Sequence, residues 1–425
     1  VKLLNGTDVT VTSGTDVVLI SGATAGDIID VVAYGAFVLA DHYTKAESDA
    51  DLALKADQAT TYTKTEDDIM LALKAPLDSP ALVNPTINGV AQSGHTGFKN
   101  HIINGNFDVW QYGTSQTSNG YGSDDRWSNI NVGSTKTHSM INATDIERVL
   151  FNSDKFSRTV VTSVAGATNF TIKRQAIENV TKLAGKTVTI SFWAKADTTK
   201  NICIKLDQLF GTGGTPSSIV VDIGTQLVAL ASTWQKKTVT ISIPSMVGET
   251  LGTDGVHTSS TFITFGFDVG STYSASYAGM IQQSGTFDIA EVQLEEGSVA
   301  TPFEQRPYGL ELSLCQRYAE VMDSSTDDEI INYGQCISTT ECNTNLSYIQ
   351  KRVVPNVSTL NTSSLFLTVS SNAGTRQAIA DTGVSFTFAS EMSAKINIIG
   401  SGLTQGHSTR VDLRAGIILV DAEIY

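Results

Sequence analysis

The sequence predicts a mainly β chain: a short N-terminal β module, a short helical and extended shaft, and two β-sandwich domains. Three observations carry this. Ser and Thr number 42 and 52 of 425 residues while charged residues make up only 17%, and a chain rich in Thr, Val and Ile favours strands. Short apolar alternations recur between Gly, Asn and Ser turns. A single 19-residue repeat, at 41–76, breaks that pattern with helix-forming residues.

Composition also excludes function classes. Lys+Arg 28 against Asp+Glu 43 gives a net charge of −15, which argues against a protein that neutralises nucleic-acid phosphates. No window of 18 apolar residues is present, so no membrane span is expected. No charged segment followed by an apolar stretch opens the chain, so no secretory signal is expected. The first residue is Val, which fits a fragment or a processed chain. A hydrophobic fraction of 41% argues against wholesale disorder.

Residues 1–40 read as short strands, Asp8–Thr12 and Val17–Ile20 among them, punctuated by Asn5-Gly6, Ser13-Gly14 and Ser21-Gly22. So short a segment closes no large core alone. Residues 41–76 hold the repeat: Tyr43-Thr44-Lys45-Ala46-Glu47 to Leu52-Ala53-Leu54-Lys55-Ala56, then Tyr62-Thr63-Lys64-Thr65-Glu66 to Leu71-Ala72-Leu73-Lys74-Ala75. Each copy opens with Thr-x-x-Glu, a capping box in which Thr44 or Thr63 bonds the third helical N–H and Glu47 or Glu66 reaches back. Helices of about three turns are marginal alone in water. The pairs Ala50/Leu54 and Ile69/Leu73 lie four residues apart on one face, and they predict self-association around an axis. A trimer is preferred; a dimer fits the same pattern.

Residues 77–97, bounded by Pro76 and containing Pro80 and Pro85, read as an extended connector. Residues 98–308 form the largest unit. Thr187–Trp193 and Thr238–Ile243 alternate, Phe262–Phe267 is aromatic-rich, and turns fall at Asn104-Gly105, Gly211-Thr212-Gly213-Gly214 and Ser284-Gly285. Many short strands of this kind predict a sandwich, with a helical interruption near Gln175–Leu183. Residues 309–425 open on an amphipathic helix, Leu310–Val321, followed by apolar strand runs that include Ile349–Val354, Leu365–Val369, Val384–Phe388, Ile396–Ile399 and Ile417–Ile424. A second, smaller sandwich follows.

Several of these segments resemble a known group. The Tyr-Thr-Lys-x-Glu repeats followed by Leu77-Asp78-Ser79-Pro80-Ala81-Leu82-Val83-Asn84-Pro85-Thr86 resemble shaft segments of tailed-bacteriophage tail fibres, and the opening 40 residues resemble the β module before such shafts. Ile102-Ile103-Asn104-Gly105-Asn106-Phe107-Asp108-Val109-Trp110-Gln111, Asp125-Arg126-Trp127, Ser191-Phe192-Trp193-Ala194-Lys195-Ala196 and Phe287–Gly297 are similar to a jelly-roll domain of the carbohydrate-binding-module type. Leu314-Cys315-Gln316-Arg317-Tyr318 and the ending Val420–Tyr425 resemble the domain that follows it. The resemblance implies a homotrimeric virion fibre, made in the host cytoplasm, that holds other tail or baseplate proteins through its N-terminal region and recognises a host-surface glycan.

A sugar site needs aromatic faces and directed polar groups. Trp193 and Trp234 sit in alternating runs and read as core, as does Trp127. Trp110, with Tyr112 beside Gly113, is balanced between core and binding. Tyr121, Tyr273 and Tyr277 lie in Gly/Ser/Tyr loops, the composition of adaptable binding surfaces; their structural alternative is to cover loop bases or to touch a neighbouring subunit. These five are the candidate glycan contacts. The adjacent carboxylates Asp124-Asp125, Glu295-Glu296 and Asp327-Asp328-Glu329 read as solvated faces, because neighbours on a strand point to opposite sides. With no Gly-x-Ser-x-Gly and no His-Glu-x-x-His, no enzyme is expected. A capsule-degrading hydrolase and an assembly adaptor without receptor binding stand as alternatives.

Six scattered histidines and the spacing of Cys203, Cys315, Cys336 and Cys342 suggest no metal site. The cysteines are expected to be reduced. No cofactor is expected; the jelly-roll resemblance leaves room for a structural calcium, without a local Asp-x-Asp run to hold it.

Overall fold

The computed structural model of the chain describes residues 7–11, 17–28, 44–55, 86–87, 90–91, 98–254, 258–323, 329–359, 384–400, 403–413 and 417–424. The chain divides into two compact units, Val1–Val83 and Asn84–Tyr425.

In the first unit, β1 (Val9–Val11) pairs antiparallel with β2 (Val17–Leu19), Val9 opposite Leu19. Helix α1 spans Lys45–Lys55. Its capping box is complete: the Glu47 N–H donates to Thr44 Oγ1 at 3.2 Å, and Glu47 Oε2 accepts from the Thr44 N–H at 2.8 Å. Lys45 and Asp49 add a pair at 2.6 Å across one turn. Ala50 and Leu52 are exposed on α1. The second repeat copy, with Ile69 and Leu73, lies outside the described residues, as does the side chain of Leu54.

The second unit begins with a two-stranded pair, β3 (Thr86–Ile87) and β4 (Val90–Ala91). Eleven strands then build the first sandwich: β5 (Ser115–Gln116), β6 (Ser128–Val132), β7 (Thr135–Asn142), β8 (Lys155–Thr162), β9 (Phe170–Glu178), β10 (Thr187–Ala196), β11 (Lys200–Leu209), β12 (Val220–Leu230), β13 (Gln235–Ser242), β14 (Ser260–Val269) and β15 (Gly285–Glu296). They form a six-stranded antiparallel sheet, β13-β10-β15-β8-β7-β5, and a five-stranded one, β12-β11-β14-β9-β6. The chain changes sheet at most connections from β8 to β15, which is the jelly-roll habit. Alternation sends Ile190 and Phe192 of β10 and Phe287 and Ile289 of β15 inward against Ile204, Leu206, Ile263, Phe265 and Phe267 of the other sheet. Trp127 is fully buried between Phe107 and Phe265.

A short helix, α2 (Asp145–Leu150), lies between β7 and β8. Helix α3 (Tyr308–Gln316) leads to the second sandwich. Its strands are β16 (Ala319–Asp323), β17 (Glu329–Cys336), β18 (Glu341–Ser347), β19 (Asn356–Thr359), β20 (Val384–Thr387), β21 (Ser393–Ile399), β22 (Ser408–Leu413) and β23 (Ile417–Asp421). Sheets β16-β23-β19 and β20-β21-β18-β17-β22 enclose Leu346, Ile396, Ile398, Ile418 and Val420.

Four expectations are corrected. Gln175–Glu178 ends strand β9, and only the single 3₁₀ turn Val180–Lys182 interrupts the sheet, because this edge of β9 pairs throughout with β14. Helix α3 stops at Gln316, and Val321 lies in β16 opposite Leu419, where sheet pairing overrides the helical spacing. Cys336 and Cys342 are a disulfide, opposite each other across the β17–β18 hairpin, while Cys203 and Cys315 are free and buried. Asp124 and Asp125 are buried rather than solvated. Asp124 pairs with Lys173 and accepts from Ser157, Ser123 and Asn129. Asp125 accepts from the Gln111 N–H at 2.7 Å, and burial raises its carboxyl to about 6.

The two sandwiches are joined by polar contacts. Arg126 pairs with Glu423, both side chains 1% exposed, and its guanidinium lies 3.4 Å from the centre of the Tyr318 ring. Glu178 accepts from Arg317 at 2.5 Å and from the Tyr318 hydroxyl at 3.0 Å.

Candidate functional site on the outer face of the five-stranded sheet

The alternation that fills the core sends a second set of side chains outward. On β11, Ile202, Ile204 and Leu206 point in, so Cys203, Lys205 and Asp207 point out. On β14, Phe262, Thr264 and Gly266 share that outer face, and on β9 so do Ile172, Arg174 and Ala176. One end of the face is covered by the second sandwich through Tyr318 and Ile424, which pack on Ala176 and Phe262.

The segment after β14 folds back over the other end. The Tyr273 N–H donates to the Gly270 carbonyl at 3.0 Å, a 3₁₀ turn runs Ala275–Tyr277, and Ala278 (φ 54°) with Gly279 (φ 82°) reverses the chain. Ser274 Oγ donates to the Met280 carbonyl at 2.8 Å and closes the loop. Tyr277 thereby lies on the backbone of Gly266: a Cβ there would sit 2.8 Å from Tyr277 Cδ1. Cys203, Ile172 and Met280 complete this apolar seat.

Beside it, Lys205 Nζ stands 4.8 Å from the Tyr277 ring centre, 2.7 Å from Asp222 Oδ1 and 3.3 Å from Asp207 Oδ1. Asp207 Oδ1 also accepts from the Asp222 N–H at 2.9 Å. Asp222 reaches Lys205 because β11 and β12 lose register here. Leu206 faces Ile223 and Gln208 faces Val220, and Asp222 takes φ 61°, a left-handed conformation that a side chain adopts only when its surroundings hold it. Burial opposes the Lys205 charge, but Asp222 and Asp207 outweigh it and raise the ammonium above its usual range. Burial pushes the Tyr277 phenol up to about 12, so it stays a neutral hydroxyl.

Phe170, Ile172, Lys205, Val221, Asp222, Tyr273, Ser276 and Tyr277 line a depression of ≈ 350 Å³. Tyr273 is 38% exposed and stands edge-on to Phe170, ring centres 5.6 Å apart. The depression offers an aromatic wall, a neutral phenol, an ammonium and a carboxylate. Such a set can stack on the C–H face of a sugar ring and bond its hydroxyls.

Of the sequence candidates, Tyr273 and Tyr277 come together here. Tyr121, Trp110 and Tyr112 do not line the depression. The Tyr121 hydroxyl donates to the Ile424 carbonyl at 2.7 Å, a contact between the sandwiches, and Trp110 packs on the inner core with Nε1 bonded to the Phe107 carbonyl at 2.5 Å. Trp193 and Trp234 are not inner core either. Both are half-buried on the outer face of the six-stranded sheet, where Trp234 stacks edge-on to Phe151 and Phe156 and donates to Glu147 at 2.8 Å. Phe170, Lys205 and Asp222 were not singled out by sequence; the outward pair Lys205 and Asp207, two apart on a strand, was the available signal.

A second cleft of ≈ 330 Å³ lies where residues 98–103 meet β9 and α3, with Phe98, His101, Glu178, Lys182, Arg306 and Tyr318 among its walls. Among the described residues, no group of three or more His, Cys, Asp or Glu side chains could hold a metal ion. No helix of the described residues is long and apolar enough to cross a membrane.

No family model and no curated protein matches the chain. Among solved structures it is similar to a carbohydrate-binding module of family 4, at 18% identity and a TM-score of 0.26, over 46% of this chain and 98% of that one. It is also similar to a family 11 carbohydrate-binding module from Clostridium thermocellum in complex with a β-1,3-1,4-mixed-linked tetrasaccharide, at 11% identity and a TM-score of 0.27, over 43% and 95%. A third similarity is to the enzymatically active domain of tailspike protein 4 of bacteriophage CBA120, at 13% identity and a TM-score of 0.28, over 47% of this chain and 22% of that one.

Proposed function

We propose that this chain is a homotrimeric virion fibre of a tailed bacteriophage that recognises a host-surface glycan through the outer face of its five-stranded sheet. The observation that carries the glycan reading is the gathering of Tyr273, Tyr277 and Phe170 around the Lys205–Asp222 pair in one open depression. In this reading recognition proceeds by binding without cleavage, because Asp222 in the depression and Asp207 beside it are both paired with the Lys205 ammonium.

The trimer reading rests on the repeat and on α1, whose Ala50 is exposed in the single chain. Copies around an axis would bury it, and the repeat proposes Leu54, Ile69 and Leu73 for the same seam. Three equal sites on one particle convert weak sugar contacts into firm attachment. The N-terminal region is the part proposed to hold other tail or baseplate proteins.

A glycan array probed with the full chain tests the function. Binding to host-surface glycans, together with competition against virion adsorption, is expected. Failure to bind any glycan, or release of reducing ends from bound polysaccharide, overturns it. A solution mass of one chain overturns the trimer.

A further inference from the structure

Arg174 is the basic side chain on this face that lacks an acid. Lys205 is held by Asp207 and Asp222, and at the end covered by the second sandwich Arg126 is held by Glu423 and Arg317 by Glu178. The Arg174 side chain forms no hydrogen bond or ion pair among the described residues, and its buried Nε has no acceptor. Its guanidinium stacks instead on Phe262, 4.6 Å from the ring centre.

Its position is fixed by register. Lys205 faces Thr264, Thr264 faces Arg174, and Arg174 faces Ser128, so the four stand in one row across the outer face. With strands about 4.8 Å apart, Lys205 and Arg174 are separated by roughly 10 Å at the backbone. A ligand seated against Tyr273 and Tyr277 and running along this row meets Arg174 about two sugar rings on. A half-buried guanidinium without a partner is costly. Stacked on an aromatic ring, its planar fork is already oriented to take a carboxylate or phosphate through two parallel bonds.

We infer that the outer face selects an acidic glycan, with a neutral ring in the tyrosine depression and an anionic substituent on Arg174. This rests on the reading of the face as a glycan site. The shared chemistry is an oxyanion on the sugar, either a uronic-acid carboxylate or a phosphate ester.

The test compares the full chain on two pairs of probes: a hexagalacturonate beside its carboxyl-reduced counterpart, and a phosphorylated oligomannose beside its dephosphorylated form. Wild type is expected to bind one acidic probe roughly tenfold or more tighter than its neutral partner. The acidic probe that shows the preference identifies the oxyanion, and added salt should shrink the effect. Arg174→Gln should bring that ratio to about one, and Arg174→Lys should restore part of it, each with an unchanged melting temperature. Equal binding of acidic and neutral probes by wild type, or a ratio that survives Arg174→Gln, overturns the inference and leaves the glycan site standing. Binding to neither member of any pair overturns the inference as well. Array binding that Tyr273→Ala leaves intact overturns the site itself.

Discussion

Glu423→Ala tests whether the two sandwiches behave as one body. Glu423 lies near the end of the second sandwich and Arg126 at the start of the first, and both side chains are 1% exposed. Removing the carboxylate leaves a buried guanidinium with one carbonyl, that of Ala176 at 2.7 Å, and the Tyr318 ring. Stripping one partner from a buried ion pair costs about 3–5 kcal/mol, because the other charge stays buried without compensation. For a unit of this size that is a fall in melting temperature of roughly 4–7 °C. The double variant Arg126→Met with Glu423→Leu removes both charges and should recover most of the loss. Urea unfolding followed by circular dichroism and by tryptophan fluorescence reads the result. A single variant within about 1 kcal/mol of wild type, or a double variant no better than the single, would refute the reasoning.

Three further outcomes are expected. Cys342→Ser opens the six-residue loop of the Cys336–Cys342 bridge, and chain entropy sets the loss at about 2 kcal/mol; calorimetry with and without reductant checks it, and reductant should affect wild type alone. Gly266→Ala forces the Tyr277 ring from its seat, with a stability loss of about 1–3 kcal/mol and weakened glycan binding read by calorimetric titration. Burial alone would raise the Glu147 carboxyl, but hydrogen bonds from Thr144, Trp234 and Lys195 outweigh it and hold it at about 2, below its ordinary 4.5. A depressed carboxyl contributes stability that is complete above the unfolded value and lost as pH falls towards 2. Glu147→Gln should therefore flatten the acid side of the stability profile between those values, and an unchanged profile would contradict the assignment.

What the sequence disclosed was local. The Thr44–Glu47 box needs four consecutive residues, and the alternation of Thr187–Trp193 needs seven. Tyr273 and Tyr277 were visible because loop composition is local too. Phe170, Lys205 and Asp222 were not, because β9, β11 and β12 come together only through pairing across β14 and through a loss of register. Asp124 looked solvated beside Asp125, since its partner Lys173 is 49 positions away. The Cys336–Cys342 bridge was hidden because it depends on a hairpin whose strands carry few apolar residues. Trp193 and Trp234 alternate as core residues do, but a sandwich has two faces per sheet, and alternation alone does not say which of them is inward.

The most direct measurement is a calorimetric titration of the full chain with its tightest array glycan, repeated with Tyr273→Ala. An exposed aromatic that stacks on the ligand is worth about 1.5–2 kcal/mol, so a roughly 10–30-fold weaker affinity at unchanged melting temperature is expected. Equal affinity in the two proteins would contradict the placement of the glycan site on this face.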